Sequence, residues 1–402
     1  MTLLDFDLAQ QKLIEAGARP TESEHVPLNQ ARGRVLAEDI KASINIPPAD
    51  NSAMDGYAIR FADYHETARF PVQARVYAGQ TPPALEAGKA IRLFTGCLIP
   101  EGADTIVIQE NCTENDDILQ INEPPSLAQH VRKAGEDMAE GTAVLTQGTL
   151  IASAQIAILA SQGITTVPVF PTIKVGILTT GDELVAPGNA LQEGQIYNSN
   201  AAMLAALCEQ LQTHVAHVVH APDTLEEIKT AINELTSSCD VVLTVGGVSV
   251  GDKDLVKPAI AELGGDMQMW RVRMKPGKPV ALATVNNTPI VGLPGNPVSA
   301  YAVFTLMVSP LVRTLQGRSV VLPRVLQGML NSQKNYRDDR EEFLRVQAHG
   351  DDGGLLLSPH ALQGSNILSS LAWATGLARL PANEVTSNGA KVAYYDFSIW
   401  GY

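Results

Sequence analysis

Cysteine, basic charge and long apolar runs are all scarce in this chain, and each scarcity closes off a class of function. Four cysteines stand among 402 residues, Cys97, Cys112, Cys208 and Cys239, with no Cys-x-x-Cys spacing. That pattern disfavours a disulfide framework and a zinc knuckle and leaves buried, reduced thiols. Lysine and arginine number 29 against 43 acids, for a formal net charge of −14. Long-range repulsion then disfavours free nucleic acid and anionic membrane surfaces as partners. An anionic ligand must be met by placed cations, by backbone N–H groups or by a metal. The uncharged apolar stretches fall short of a membrane span, and the opening Met-Thr-Leu-Leu-Asp-Phe-Asp-Leu-Ala carries acids where a signal peptide needs a basic region. A soluble, cytoplasmic protein is expected. Repeats and low-complexity segments are absent too.

Apolar residues make up 45% of the chain, enough for several buried cores and for two to four domains. The expected fold is a multidomain α/β protein. Helical spacing at 4–17 and 151–163, each closed by a glycine, reads as two pieces of one split helical layer, residues 5–41 and 141–172. Between them, residues 42–140 hold short β-like segments punctuated by proline and glycine, an all-β insertion. Such an insertion has little core of its own and gains by packing on a partner. From 173 to 322 strand and helix patterns alternate, which predicts a doubly wound parallel sheet. Residues 323–402 return to short strands with Gly/Asp/Asn turns, a small β-barrel-like terminal domain.

The chemistry concentrates where strands of the α/β part end. Thr-Val-Gly-Gly-Val-Ser-Val-Gly (244–251) offers Gly246 and Gly247 for close ligand approach, Ser249 as a hydroxyl, and Asp252 and Asp254 beyond. A phosphate turn with metal-holding acids and a glycine turn whose aspartates merely cap the next helix are equally good readings of this loop. Met-Lys-Pro-Gly-Lys-Pro (274–279) places Lys275 and Lys278 near Arg271 and Arg273, as an anion grip or a solvated basic loop. Gly-Leu-Pro-Gly-Asn-Pro (292–297) brings Pro294, Gly295, Asn296 and Pro297 to a strand-to-helix turn, with Asn296 as N-cap and Pro297 at the first helical position. Thr-Thr-Gly-Asp-Glu-Leu (179–184) ends the first strand with Asp182 and Glu183. Each signal is weak alone; four on one sheet edge point to a phosphate-bearing small molecule. In the insertion, Asp55 with Gly56, then Thr95, Arg132 and Asp137 sit in polar turns that serve equally as plain hairpins. His214, His217 and His220 lie three apart on a predicted strand, so they alternate faces and cannot share one metal.

Taken together, Asn-Ser-Ala-Met-Asp-Gly-Tyr-Ala (51–58), Gly-Asp-Glu-Leu, the Thr-Val-Gly-Gly segment, Lys-Pro-Gly-Lys-Pro and Gly-Leu-Pro-Gly-Asn-Pro-Val-Ser-Ala resemble, in this order and spacing, the molybdopterin molybdenumtransferase family. The similarity spans nearly the whole chain and extends to the C-terminal part of gephyrin. The resemblance implies insertion of molybdenum from molybdate into adenylylated molybdopterin, with release of AMP and help from Mg²⁺. It implies catalytic roles for Asp55, Thr95, Asp137, Glu183, Asp223 and Asp254. Substrate contacts fall to Arg132, Gly246, Gly247, Ser249, Arg271, Lys275, Lys278, Pro294, Gly295, Asn296, Pro297, Arg345 and Ser365. The metal falls to Asp252, Asp254 and Glu183. A homodimer with a cleft shared between subunits is also implied, with transient contact to the molybdopterin adenylyltransferase and to downstream cofactor carriers. Two other readings are an adenylyltransferase of the same pathway and a non-catalytic clustering scaffold; the extra domains speak against the first and the intact acid set against the second. Two departures from the family pattern stand out: Arg271, where many relatives carry lysine, and the aromatic-rich C-terminal Tyr-Tyr-Asp-Phe-Ser-Ile-Trp-Gly-Tyr.

Overall fold

A computed structural model describes residues 3–247, 254–351 and 353–401. Its central sheet runs in the order His214–Ala221, Lys174–Thr180, Val241–Val245, Thr288–Leu293, Ala281–Val285, Asp266–Trp270. The first four strands pair in parallel. Ala281–Val285 runs the other way, because Asn286 and Asn287 at φ 52° and 63° form a two-residue hairpin turn into Thr288. The sheet is therefore mixed at this end. Helices cover both faces, so the central strands are apolar along almost their whole length. Ser199–Gln210 and Pro297–Leu315 contribute to the core on one face, and Leu225–Ser238 and Val256–Glu262 to the core on the other.

Pro297–Leu315 is the one described helix long and apolar enough to cross a membrane, although the sequence suggests no such stretch; 94% of its apolar window is buried in the protein. Pro310 lacks the N–H that would bond Leu306, and the turn Phe304–Val308 widens to a π conformation just before it. The carbonyl of Leu306 instead accepts a 2.6 Å hydrogen bond from Gln10 Nε2. Through that bond and through Phe6, Ala9 and Leu13, the N-terminal helix Phe6–Ala16 belongs to the α/β core. Helix Ser153–Ser161 packs elsewhere: its buried Leu159 lies with Val26, Leu36 and Val167. The two segments read as one helical layer thus sit in different cores.

Strand Glu24–Pro27 pairs with Thr166–Val169, and Ile40–Lys41 with Ala143–Leu145, forming a stem from which the insertion projects. The insertion is a six-stranded sheet from Gly56–Ile59 to Ile118–Ile121 and its neighbours. It has two apolar cores, one around Phe70 and Leu119 and one around Ile91 and Ile106, built from residues 57–131 alone. The expectation that it has little core of its own is corrected here: its strands are short, but they stack both faces against insertion side chains.

The terminal domain closes into a barrel: Glu341–Asp351, Gly354–Pro359, Leu326–Leu330, Lys391–Asp396 and Gly376–Leu380 form a ring, with the last strand pairing back onto the first. The aromatic C-terminus is part of it. Tyr394 and Tyr395 lie in strand Lys391–Asp396, and the following turn Phe397–Trp400 sets Trp400 against Tyr395 and Phe397 against Tyr301 at ring distances of 4.9 and 5.0 Å. Tyr301 belongs to the long helix, so the atypical tail docks the barrel on the α/β domain.

Candidate active site

The carboxyl ends of the parallel strands meet at one edge of the sheet. Asp182 follows Lys174–Thr180 and Asp223 follows His214–Ala221; the Asp223 N–H donates to Asp182 Oδ1 at 3.2 Å and the Asp182 N–H to Asp223 Oδ2 at 3.4 Å. Glu183, next to Asp182, is exposed. After Val241–Val245, Gly246 and Gly247 take φ values of 92° and 64°. A Cβ at Gly246 would stand 2.8 Å from the Thr180 carbonyl oxygen, and one at Gly247 2.7 Å from Val256. Only glycine lets these two strand ends and the next helix approach so closely. The Gly246 N–H reaches the Leu293 carbonyl at 3.4 Å, which sets this turn beside the Pro294–Gly295–Asn296 turn. Ser249 and Asp252 lie outside the described residues.

Pro297 takes the first helical position, as its preset φ favours. Asn296 occupies the N-cap position without capping: its Nδ2 donates to Ser365 Oγ of the terminal barrel at 3.1 Å. The first-turn N–H groups are therefore left to face the sheet edge, where the helix end is positive. Gly295 is exposed, and its carbonyl accepts from Asn200 Nδ2 at 2.6 Å. A side chain at 295 would meet nothing within 4 Å, and its φ is not positive. Neither packing nor backbone conformation demands glycine there.

Two expected contacts have other occupations. Lys275 Nζ lies 2.9 Å from both Asp338 Oδ2 and Glu342 Oε1 of the barrel. Burial pushes its pKa down, and the two carboxylates outweigh that and hold it above the ordinary lysine value. Lys275 thus ties its loop to the barrel, a tie reinforced by pairing of Met274–Lys275 with Glu341–Glu342. Arg345 is 1% exposed; its Nε donates to Ser370 Oγ and its Nη2 to the carbonyls of Leu362 and Gly364. It shapes the segment that presents Ser365. Lys278, by contrast, is exposed beside the same turn.

Arg271 sits at φ 66°, a conformation unusual for a side-chain-bearing residue, with its guanidinium 4.1 Å from the Trp270 ring centre. Lys257 Nζ lies 3.6 Å from the same ring. Burial and the Arg271 charge lower the Lys257 pKa, against the pull of Asp254. Asp254, Lys257, Trp270 and Arg271 thus form one charged cluster after the Gly-Gly turn. Lys257 and Trp270 escape a sequence reading, since a lysine in a short helix and a tryptophan in a strand carry no motif.

The insertion holds a second cluster. Thr95 donates to Asp55 Oδ1 through both its N–H and its hydroxyl, each at 2.8 Å. These two bonds hold the exposed Asp55 carboxyl below the usual carboxylate range, with Arg92 adding to the effect. Arg92, a further residue missed, stacks over Tyr57 at 4.7 Å and bonds Gln109. Arg132 and Asp137 line a groove of about 490 Å³ with Asn51 and Glu136. Among the described residues no hydrogen bond or ion pair joins Asp55, Thr95, Arg132 or Asp137 to the α/β or terminal domain.

His220 Nδ1 meets Thr179 Oγ1 at 3.3 Å, and no group of three metal-capable side chains occurs among the described residues. All four cysteines are free, and Cys97, Cys208 and Cys239 are buried.

Comparison with known proteins accounts for this layout. Three family models match in sequence: MoeA N-terminal region (domain I and II) over residues 4–163, probable molybdopterin binding domain over 176–314, and MoeA C-terminal region (domain IV) over 332–397. A molybdopterin molybdenumtransferase of Haemophilus influenzae is 41% identical over 320 residues, 79% of this chain and 78% of that protein. Molybdopterin molybdenumtransferase 2 of Mycobacterium tuberculosis is 34% identical over 408 residues, covering 96% and 98% of the two chains. The crystal structure of a molybdopterin biosynthesis moeA protein from Pyrococcus horikoshii superposes with a TM-score of 0.83 at 29% identity, covering 98% of this chain and all of the other. With its three regions matched in order and its relatives aligned over most of their length, the chain belongs to the molybdopterin molybdenumtransferase family.

Proposed function

We propose that this protein inserts molybdenum from molybdate into adenylylated molybdopterin and releases AMP. The observation that carries the reading is the pair of adjoining turns at the sheet edge: Gly246–Gly247, where a Cβ would clash, and Gly295, where it would meet only open space. A pterin bearing a diphosphate needs such exposed N–H groups beside a helix N-terminus, above all in a protein of net charge −14. Relatives named molybdopterin molybdenumtransferase align over nearly the full chain, which supports molybdopterin as the substrate.

Lys278, Arg271 and Lys257 supply positive charge to the diphosphate. Mg²⁺ takes oxygen donors and retains several waters, using one or two carboxylates together with substrate phosphate. Asp254 and Glu183 are donors of that type at the same edge, and a preformed cage is not required, so the residues fit the ion. When bound it would offset diphosphate charge. Asp55, held ionised by Thr95, and Asp137 act on the reacting end from the insertion of a partner chain, since the insertion has its own cores and no described hydrogen bond or ion pair ties these residues to the sheet edge of their own chain. The protein works as a homodimer in the cytoplasm and exchanges substrate and product with the molybdopterin adenylyltransferase and with cofactor carriers.

The test is incubation of the purified protein with adenylylated molybdopterin, molybdate and Mg²⁺. AMP and molybdenum cofactor should appear together. Formation of neither, with a folded dimer and intact ligand, would refute the assignment.

A further inference from the structure

A cavity of about 310 Å³ lies at the C-terminal end of helix Pro297–Leu315, lined among others by Gly148, Thr149, Arg313, Arg318, Ser319 and Ile399. Arg318 is 5% exposed, and Arg313 1%. Arg318 Nη2 donates to the Leu211 carbonyl at 3.2 Å, while its Nε is buried and has no hydrogen-bond partner. Burial depresses the Arg318 pKa, to about 10. Arg313 donates to Ser309 Oγ at 2.7 Å and to the Trp400 carbonyl at 2.6 Å, and its charge is close enough to Arg318 for the two to repel. A smaller cavity that shares Gly148 and Ser319 adds Arg19 to the same surroundings.

Burying a guanidinium that has an unpartnered N–H is costly, and a second positive charge within reach of Arg318 raises the cost. In a chain with 14 more acids than bases, two buried arginines on one cavity are a placed feature. From these residues we propose that the cavity binds a small tetrahedral oxyanion. Such an ion accepts several charge-assisted hydrogen bonds at once, including one from an N–H in the position of Arg318 Nε. Thr149 and Ser319 add hydroxyls; that of Ser319 makes only a long 3.3 Å bond to the Gly148 carbonyl.

The site is separate from the candidate active site. Pro297 and Arg313 are sixteen residues apart on one helix, which at 1.5 Å per residue is about 24 Å. The lining comes from the 148–150 turn of the stem region, the end of the long helix and the C-terminal turn that docks the barrel. A bound anion therefore joins three parts of the chain and stabilises their mutual docking. Inorganic phosphate, sulfate and molybdate share the required chemistry.

Thermal unfolding and titration calorimetry of the full chain with each of these three anions, against potassium chloride at equal ionic strength, test the proposal. At least one oxyanion should bind saturably and raise Tm by about 2 °C or more at saturation, beyond the chloride control. Tightest binding of molybdate would mark a reserve of the substrate ion, and tightest binding of phosphate or sulfate a site for a cellular anion. The saturable response should disappear in Arg318→Met with its circular dichroism unchanged. If that variant does not fold, Thr149→Val and Ser319→Ala should each weaken binding several-fold. The proposal is overturned if none of the three anions exceeds chloride, if Arg318→Met responds like the wild type, or if Thr149→Val and Ser319→Ala both bind with unchanged affinity.

Discussion

Lysine 275 and lysine 278 stand three residues apart in one turn, yet their surroundings assign them different work. Lys278→Ala should weaken binding of adenylylated molybdopterin roughly 10- to 150-fold, the equivalent of a charge-assisted contact of about 1.5–3 kcal/mol, with Tm unchanged. Lys275→Met should instead lower stability by about 1–2 kcal/mol, the partial exposure of its ammonium reducing what a buried pair would show. Calorimetric affinity and Tm together separate the two; equal losses of affinity would refute the division. Asp55 permits a pH test. Its carboxyl lies below the ordinary range because Thr95 donates twice to the ionised form, so Thr95→Val must raise its pKa. Carbon-detected NMR titration of the Asp55 carboxyl should show the midpoint moving to higher pH, and an unmoved midpoint would mean that the hydroxyl bond is not formed in solution, the backbone N–H being kept in the variant.

At the scale of the element, the two glycine turns make opposite predictions. Gly246→Ala forces a Cβ to 2.8 Å from a carbonyl oxygen at φ 92°, a strained arrangement that should cost about 1–3 kcal/mol and lower Tm. Gly295→Ala has room on every side, so Tm should be within error of wild type while affinity for the adenylylated ligand falls. Binding that survives Gly295→Ala would place the ligand away from this turn. Glycine and proline content made both turns legible in the sequence; which glycine the packing demands was not, because that depends on atoms from Thr180 and Val256. Asn296 holds the N-cap position as read, but without a capping bond, for the same reason. Its side chain finds Ser365, 69 residues away, instead of its own helix.

The whole molecule divides its candidate acids between two bodies. Asp55, Thr95, Arg132 and Asp137 belong to the insertion, whereas Glu183, Asp223 and Asp254 belong to the sheet edge, and no described hydrogen bond or ion pair unites the two sets within a chain. If the partner chain completes each site, co-expressing Asp55→Asn and Asp254→Asn chains should restore activity. Random pairing makes half the dimers mixed, each with one intact site of two, so about a quarter of wild-type AMP release should return while either variant alone stays inactive. Verified mixed dimers without restored AMP release would show that each cleft belongs to one chain.

Local rules read in one dimension were enough to determine the alternation of strand and helix from 173 onward, the β character of the insertion and terminal domain, and the Gly/Pro-rich turns at the sheet edge. Hydrophobic period and turn chemistry depend only on near neighbours. The tertiary structure alone decided what distant residues do to one another. It placed helix Phe6–Ala16 in the α/β core, because Pro310 leaves the Leu306 carbonyl open to Gln10. It gave Lys275 and Arg345 partners in the terminal domain, because carboxylates and carbonyls of the barrel lie within reach of them. It made the aromatic C-terminus a docking element, because Tyr301 and Tyr395 present rings for Phe397 and Trp400 to pack against. Buried charge and aromatic contact have no sequence period; they exist only once the chain has closed on itself.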